Sequence, residues 1–511
     1  MVHIVVSHVS SGRTVSPVAE LGGPGGPVPR EPATDEAALD APGGQPAARR
    51  TGLIVTVLAF TGVLSALMQT IVVPLLGTLP ELLHTSSSNA SWVVTATLLA
   101  AAATTPISGR LGDMYGKRRI LIACIILLIA GSVLCALSSS FLPVVIGRTL
   151  QGSATSVIPL GISILRDELP RHKVGGAIAL MSATLGIGGS VGLLLSALVA
   201  QNFDWHVLFW GAAGVGAIAM ILVLAFVPES ELRDPARFDV LGAIGLSVGL
   251  ICLLLPITKG SEWGWTSPRV LLLGAASIAI LLLWARFEVG RRHPVVDLRV
   301  SAARGVLLTN AASVMTGFAM YGVNLALPEL LQTPRSTGFG LGQTMIATGL
   351  CVAPGGVAMM LVSPFSAKLS ARFSPRITLI TGLLVIGAGY VCAVVAVTAI
   401  WQVVLVSTVV SCGIALAYGA MPALIMSNVP PEETAAANGL NSLARSLGSA
   451  ISSAVVAAVL ATDVVVRGGV SVPSQDAYRL VFIVGACASV VAALVAASIP
   501  RLDRQAAHSS A

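Results

Sequence analysis

From Thr51 to Pro500 the chain is a succession of long apolar stretches separated by short polar connections. No other feature restricts the fold as much, because about 20 mostly apolar residues in helix are what crosses bilayer hydrocarbon. Helices also satisfy their own backbone hydrogen bonds, which lipid cannot do. Charged residues make up only 10% of the chain, far below the roughly 25% of soluble domains. A water-exposed globular domain is excluded. The net charge of +7 does not signal a nucleic-acid surface, since no basic face interleaved with aromatics occurs.

Fourteen spans are expected between about 53 and 499, including 91–109, 141–165 and 435–461, giving an all-α integral membrane protein. Basic residues collect in alternate connections, among them Arg110, Lys117, Arg118, Arg119, Arg166, Lys173, Arg237, Lys368 and Arg372. The opposite connections offer little beyond Lys259, Arg335 and Arg467. The first set is read as cytoplasmic, which places both termini in the cytoplasm and requires an even number of spans. Residues 1–50, rich in Pro, Gly and Ala, are expected to be a disordered tail, with a second tail at 501–511. No cleavable signal pattern precedes the first span, so that span is expected to direct its own insertion.

All seven cysteines lie in apolar segments without metal-ligand spacing, and are read as small buried hydrophobes. Trp92, Trp205, Trp210, Trp263 and Trp265 fall near span ends, where interfacial anchors belong.

An internal repeat is present. Leu79–Thr85 reads LPELLHT and Leu327–Thr333 reads LPELLQT. Pro106, Leu111, Tyr115 and Arg118 are then echoed by Pro364, Leu369, Phe373 and Arg376 at one constant offset. Duplication predicts a bundle of six helices at 51–228, two additional helices with linkers at 229–303, and a second bundle of six at 304–500.

Three places concentrate unusual residues. Gly109–Arg119, GRLGDMYGKRR, joins the second and third spans. Its glycines permit tight turns and close approach. Asp113 can accept from a helix N-terminus or pair with an arginine, while Lys117, Arg118 and Arg119 hold the turn at the cytoplasmic face. Arg148, in VVIGRTLQGSATS, lies within the fourth span. A cation there costs several kcal/mol unless paired or hydrated, so it is either functional or bonded to neighbouring carbonyls. Arg445 in the penultimate span shares a face with Asn441. Either a cavity-lining cluster or a polar helix-packing seam accounts for them.

On these motifs the chain resembles the major facilitator superfamily, and most closely its fourteen-span drug:proton antiporters of the actinobacterial multidrug and antibiotic efflux type. The resemblance covers nearly all of 51–500. It implies two six-helix bundles plus two extra central helices. It also implies a conformational gate formed by Gly109, Arg110, Gly112, Asp113, Gly116, Lys117, Arg118 and Arg119, and a coupling role for Arg148 with Gln151 and Gly152 matching its motif. Two departures stand out. The family's acid in the first span is replaced by Met68 in LMQTIVVP, and the fifth span has Leu193 where proline is usual.

Other proton-carrying candidates are Glu81 and Glu329, at matching places in the repeat and with His84 three residues beyond Glu81. A partly desolvated carboxylate can titrate near neutrality, and the alternative is a pair of wetted helix ends. Tyr321, Asn324, Gln69 and Gln343 could offer polar contacts, but periodicity does not assign the substrate-binding residues. No phosphate-binding loop or nucleophile elbow is present.

The expected function is proton-driven efflux of small amphipathic molecules by alternating access, not an enzymatic activity. The alternatives are an importer or facilitator, or a receptor on the same fold. Expected partners are a small-molecule substrate, protons and lipid, with no cofactor, metal or nucleic acid. The expected setting is a monomer in the bacterial plasma membrane.

Overall fold

The computed structural model describes residues 44–76, 78–230, 237–291, 293–395, 397–467 and 470–500. The chain runs α1 (Gly44–Thr70), α2 (Leu79–Leu82), α3 (Ser87–Ala90), α4 (Trp92–Tyr115), α5 (Lys117–Ala136), α6 (Phe141–Ser153), α7 (Val157–Glu168), α8 (Arg171–Asn202) and α9 (His206–Phe226). It continues through α10 (Val240–Trp263), α11 (Pro268–Val289), α12 (Leu298–Ala302), α13 (Arg304–Gln332), α14 (Met345–Arg372), α15 (Pro375–Val395), α16 (Ile400–Met426), α17 (Thr434–Thr462) and α18 (Gln475–Ala497). Among the described residues, thirteen helices are long and apolar enough to cross a membrane. A fourteenth crossing is made in two pieces, α6 and α7, joined by a 3-10 turn at Ala154–Ser156. The chain is a multi-pass membrane protein. Among the described residues all regular structure is helical except for a hairpin of β1 (Val464–Arg467) and β2 (Val470–Pro473), paired antiparallel between α17 and α18. Valine-rich strands suit that hairpin, and its edge lies at a polar connection rather than in lipid.

Several expectations are corrected. Residues 44–50, assigned to a disordered tail, are the first turns of α1; the disorder expected for 1–43 and the second tail at 501–511 lie outside the described residues. Cys392 and Cys487 are exposed rather than buried; a thiol on an outward helix face behaves as one more apolar group. Trp205 is buried against Phe209, with ring centroids 5.7 Å apart.

One apolar core gathers residues of the first six crossings, from Ile54 through Leu121, Leu160 and Phe209 to Val227. A second gathers residues of the last six, including Ala319, Leu383, Tyr390, Met421 and Phe482. A third joins α10 to both, with Leu246 and Leu250 set against Leu99 and Ala102 of α4 and Leu443 and Ala450 of α17. The α10–α11 pair is a tight hairpin. Trp284 Nε1 donates to the Gly242 carbonyl at 2.8 Å, and Ser277 Oγ donates to that of Gly249 at 3.1 Å.

The repeat is kept at one end and altered at the other. Arg118 Nη2 donates to the Leu224 carbonyl in the last turn of α9 at 2.6 Å. Arg376 Nη2 likewise donates to the Ala497 carbonyl at the end of α18. Each arginine thus caps the sixth crossing of its own half. The LPELL copies diverge: the first forms the separate short helix α2, the second the last turns of the continuous α13.

Candidate functional site

The motif Gly109–Arg119 is less of a turn than its sequence suggests. Helix persists through Tyr115, and α5 begins at Lys117, leaving Gly116 as the one break. Gly116 takes φ +112°, a backbone that L side chains rarely adopt. Gly109 serves a different purpose: a Cβ there would fall 2.5 Å from the Ala435 carbonyl oxygen, so its absence lets α4 touch α17.

That contact brings Asp113 to the start of α17. Fully buried, it accepts from the amides of Ala435 at 3.2 Å and Ala436 at 2.8 Å. Glu433, the residue before α17, gives no side-chain cap. The acid therefore caps, from the first half, a helix of the second, with the helix dipole adding attraction. Lys117 is also fully buried, contrary to its expected place at the membrane face. Its Nζ lies 2.7 Å from Asp167 Oδ2 and 3.7 Å from Asp113 Oδ1, and donates to Thr434 Oγ1 at 3.4 Å. Two buried carboxylates share one buried ammonium, an arrangement that tolerates the loss of no partner. Ser230 Oγ donates to Asp167 at 2.5 Å. Glu229 accepts from the Arg118 amide at 3.2 Å and lies 3.6 Å from Arg119 Nε. Arg110 is buried in the same region.

A second cross-half bond has the opposite sign. Arg166, in the last turn of α7, donates to the Met426 carbonyl at the end of α16 at 3.4 Å. The first half thus offers an acid to one helix N-terminus and a base to one helix C-terminus of the second. Asp167, Glu229, Ser230 and the cross-half bond of Arg166 were not legible in the sequence. In sequence they read as ordinary polar connections, and only the packing brings them to the motif.

Arg148 is 0% exposed. Its Nη1 donates to the Met68 carbonyl at 3.0 Å and to Gln151 Oε1 at 2.7 Å, and its Nε to the Val93 carbonyl at 3.3 Å. Gln151 Nε2 donates onward to Ser132 Oγ at 2.8 Å. The guanidinium is held by neutral oxygens alone, and the residue in the place of the family's acid contributes its backbone. Arg445 is partly exposed. It donates to Asn441 Oδ1 at 2.8 Å and Ser442 Oγ at 2.6 Å, and lies over the Tyr418 ring at 5.0 Å. Asn441 donates to Asn310 Oδ1 at 2.9 Å and Ser313 Oγ at 2.6 Å, tying α17 to α13. Asn310, Ser313 and Tyr418 carried no signal in sequence.

Glu81 is exposed on α2, and Glu329 lies in the last turn of α13 against the Tyr478 hydroxyl. The helix carrying Glu81 ends at Leu82, so His84 is not one helical turn away but follows in a connection with φ +48°. The expected matching pair is thus set in two different local structures. At the same end as these acids, Lys259 of α10 is 1% exposed. Its Nζ lies 2.7 Å from Glu262, donates to the Ser88 carbonyl at 3.1 Å and to Ser91 Oγ, and sits 5.4 Å from the Trp92 ring centre. What reads as a stray basic residue fastens the extra pair to the start of α4.

Comparison with known proteins agrees with this architecture. The family profile described as Major Facilitator Superfamily matches residues 58–453 and 309–511. The chain is 29% identical over 375 residues to the multidrug resistance protein Stp of Mycobacterium tuberculosis, covering 72% of this chain and 68% of the relative. It is 26% identical over 391 residues to the tetracenomycin C resistance and export protein of Streptomyces glaucescens, covering 75% and 71% respectively. Among solved structures, the human organic anion transporter MFSD10 superposes with a TM-score of 0.64 at 14% identity, covering 87% of this chain and 99% of that one. The proton:xylose symporter XylE superposes at 0.61 and 14% identity, covering 89% and 96%. At such identities the structural likeness speaks for the fold.

Proposed function

The chain belongs to the major facilitator superfamily, and on that footing we propose that it is a secondary active exporter of small amphipathic organic molecules, working by alternating access. The halves 51–228 and 304–500 rock against each other, in the plasma membrane, as a monomer with both termini cytoplasmic. The observation that carries this reading is the Asp113 carboxylate on the amides of Ala435 and Ala436. A bond of this kind, made across the halves by groups at the tips of two helices, breaks as a unit when that end opens. Its strength, about 1–2 kcal/mol for a charged cap, suits a latch that substrate binding can release. A multidrug resistance protein and a tetracenomycin C resistance and export protein among its relatives support the direction of transport.

Accumulation of a panel of dyes and drugs in an efflux-deficient host tests the proposal. Reduced accumulation, abolished by a protonophore, is expected. Unchanged accumulation across the panel would sink it.

A second reading, facilitated transport or import without proton antiport, draws on Arg148. This cation is satisfied by carbonyl and amide oxygens, with Met68 in the acid's place. Met68→Asp distinguishes the two. If an acid at 68 is what antiport requires, M68D alone gains pH-dependent export; unaltered pH dependence would count against a simple loss of coupling there.

A further inference from the structure

We infer that the exported molecule carries an acidic group, and that the Arg445 guanidinium receives it; the inference rests on the export reading above. The argument begins with where charge sits along the crossing helices. Every described Asp or Glu in them lies in a first or last turn: Asp113, Asp167 and Glu168, Glu262, Glu288, Glu329 and Asp476. Deep in the spans the chain places two charges, Arg148 and Arg445, and both are positive. Neither is a member of any ion pair among the described residues. A buried cation without a counter-ion is costly in this setting, and two of them raise the cost of admitting a cationic guest.

The two arginines are not equally available. Arg148 is sealed off and bonded to three oxygens. Arg445 is partly exposed, with two of its donors engaged by side chains of its own helix. Ser442, Arg445, Ser446 and Ser449 follow one face of α17 and are all partly exposed. Ser446 and Ser449 return their hydroxyls to backbone carbonyls, whereas a partly exposed guanidinium at membrane depth faces hydrated space rather than lipid, which offers a charge no partner. The guanidinium is also oriented before any ligand arrives. Asn441 donates its amide hydrogens to Asn310 and Ser313, which leaves its oxygen turned to Arg445. A planar fork held this way, backed by the buried Tyr418 ring, suits a carboxylate, sulfonate or phosphate.

The test uses the full-length protein and two fluorescent probes, carboxyfluorescein as the anion and ethidium as the cation. Export from an efflux-deficient host and thermal stabilisation of the solubilised protein are read side by side. The expected result is export of, and stabilisation by, carboxyfluorescein. In R445Q export of carboxyfluorescein falls about tenfold, and about tenfold more dye is needed for the same stabilisation, as loss of a charged hydrogen bond requires, with R445K in between. Ethidium exported in preference to carboxyfluorescein, or R445Q handling the anion like the parent, would overturn the inference. Arg445-dependent stabilisation by carboxyfluorescein without export of either dye would keep the site and overturn the export reading instead. No stabilisation by carboxyfluorescein in the parent protein would remove the site.

Discussion

The turn between α4 and α5 and the turn between α14 and α15 are copies of one design put to different uses. In each, a proline lies inside the incoming helix, at Pro106 and Pro364. In each, an exposed aromatic precedes the turn, Tyr115 and Phe373, and an arginine caps the sixth crossing of its half. What differs is the chemistry laid over this frame. At the constant offset of the repeat, Gly109, Asp113, Gly116 and Lys117 correspond to Ala367, Ala371, Ser374 and Pro375. The first copy reaches across to α17 with a buried acid, while in the second the corresponding Ala371 is exposed. Shared residues hold each half together; unshared ones make a contact between halves.

The most damaging way to challenge that contrast is to unbalance the buried charges. Lys117→Met leaves Asp113 and Asp167 without their ammonium, and the melting temperature of the solubilised protein should fall by the equivalent of about 3 kcal/mol. A shift no larger than that of a surface substitution would show that water reaches the cluster. Next comes Gly109→Ala, which aims a methyl at the Ala435 carbonyl. It should cost about 2 kcal/mol and impair transport, whereas the second copy already has alanine at the matching place.

Asp113→Asn keeps the shape but loses the charge on the α17 amides. A cysteine introduced at Ala436 should then be labelled by a membrane-impermeant maleimide roughly tenfold faster, about 1.4 kcal/mol of latch. Equal labelling would mean that the cap does not limit opening. Arg118→Ala and Arg376→Ala should cost nearly the same, about 1 kcal/mol each; unequal melting shifts would break the symmetry claimed for the frame. Smallest of all is Ala371→Asp, expected to change transport and melting by less than about 0.5 kcal/mol, since the acid would have been added where the second copy makes no latch.

This asymmetry also marks how far the sequence could be read. The crossings were legible because apolar length is a one-dimensional property, and the Gly109–Arg119 motif stood out because glycine, aspartate and lysine are conspicuous in an apolar chain. The break at Ala154–Ser156 was not, since serine and alanine interrupt neither hydropathy nor period. The partners of the latch were equally silent. Asp167 and Ser230 stand far from Lys117 in sequence and meet it only through the packing of α7 and the segment after α9. Gly188 and Gly192 of α8 pack on Val63 and Thr70 of α1 within one half. Contact across the halves falls instead to Gly186 against Met359 and Gly356 against Ser190, a distinction that glycine spacing alone does not make.

The α10–α11 hairpin has a consequence for how such a chain could lengthen. Two crossings added together return the polypeptide to the side it left, so every later helix keeps its orientation. Anchorage matters as much as parity. Lys259 fixes the pair to the start of α4 by hydrogen bonds to Ser88 and Ser91, while the pair's contact with α17 is made with Leu443 and Ala450. An apolar face can slip past another at small cost, because one nonspecific contact replaces the next. The insert can therefore ride on one half and bear on the other, adding bulk to the seam without locking it.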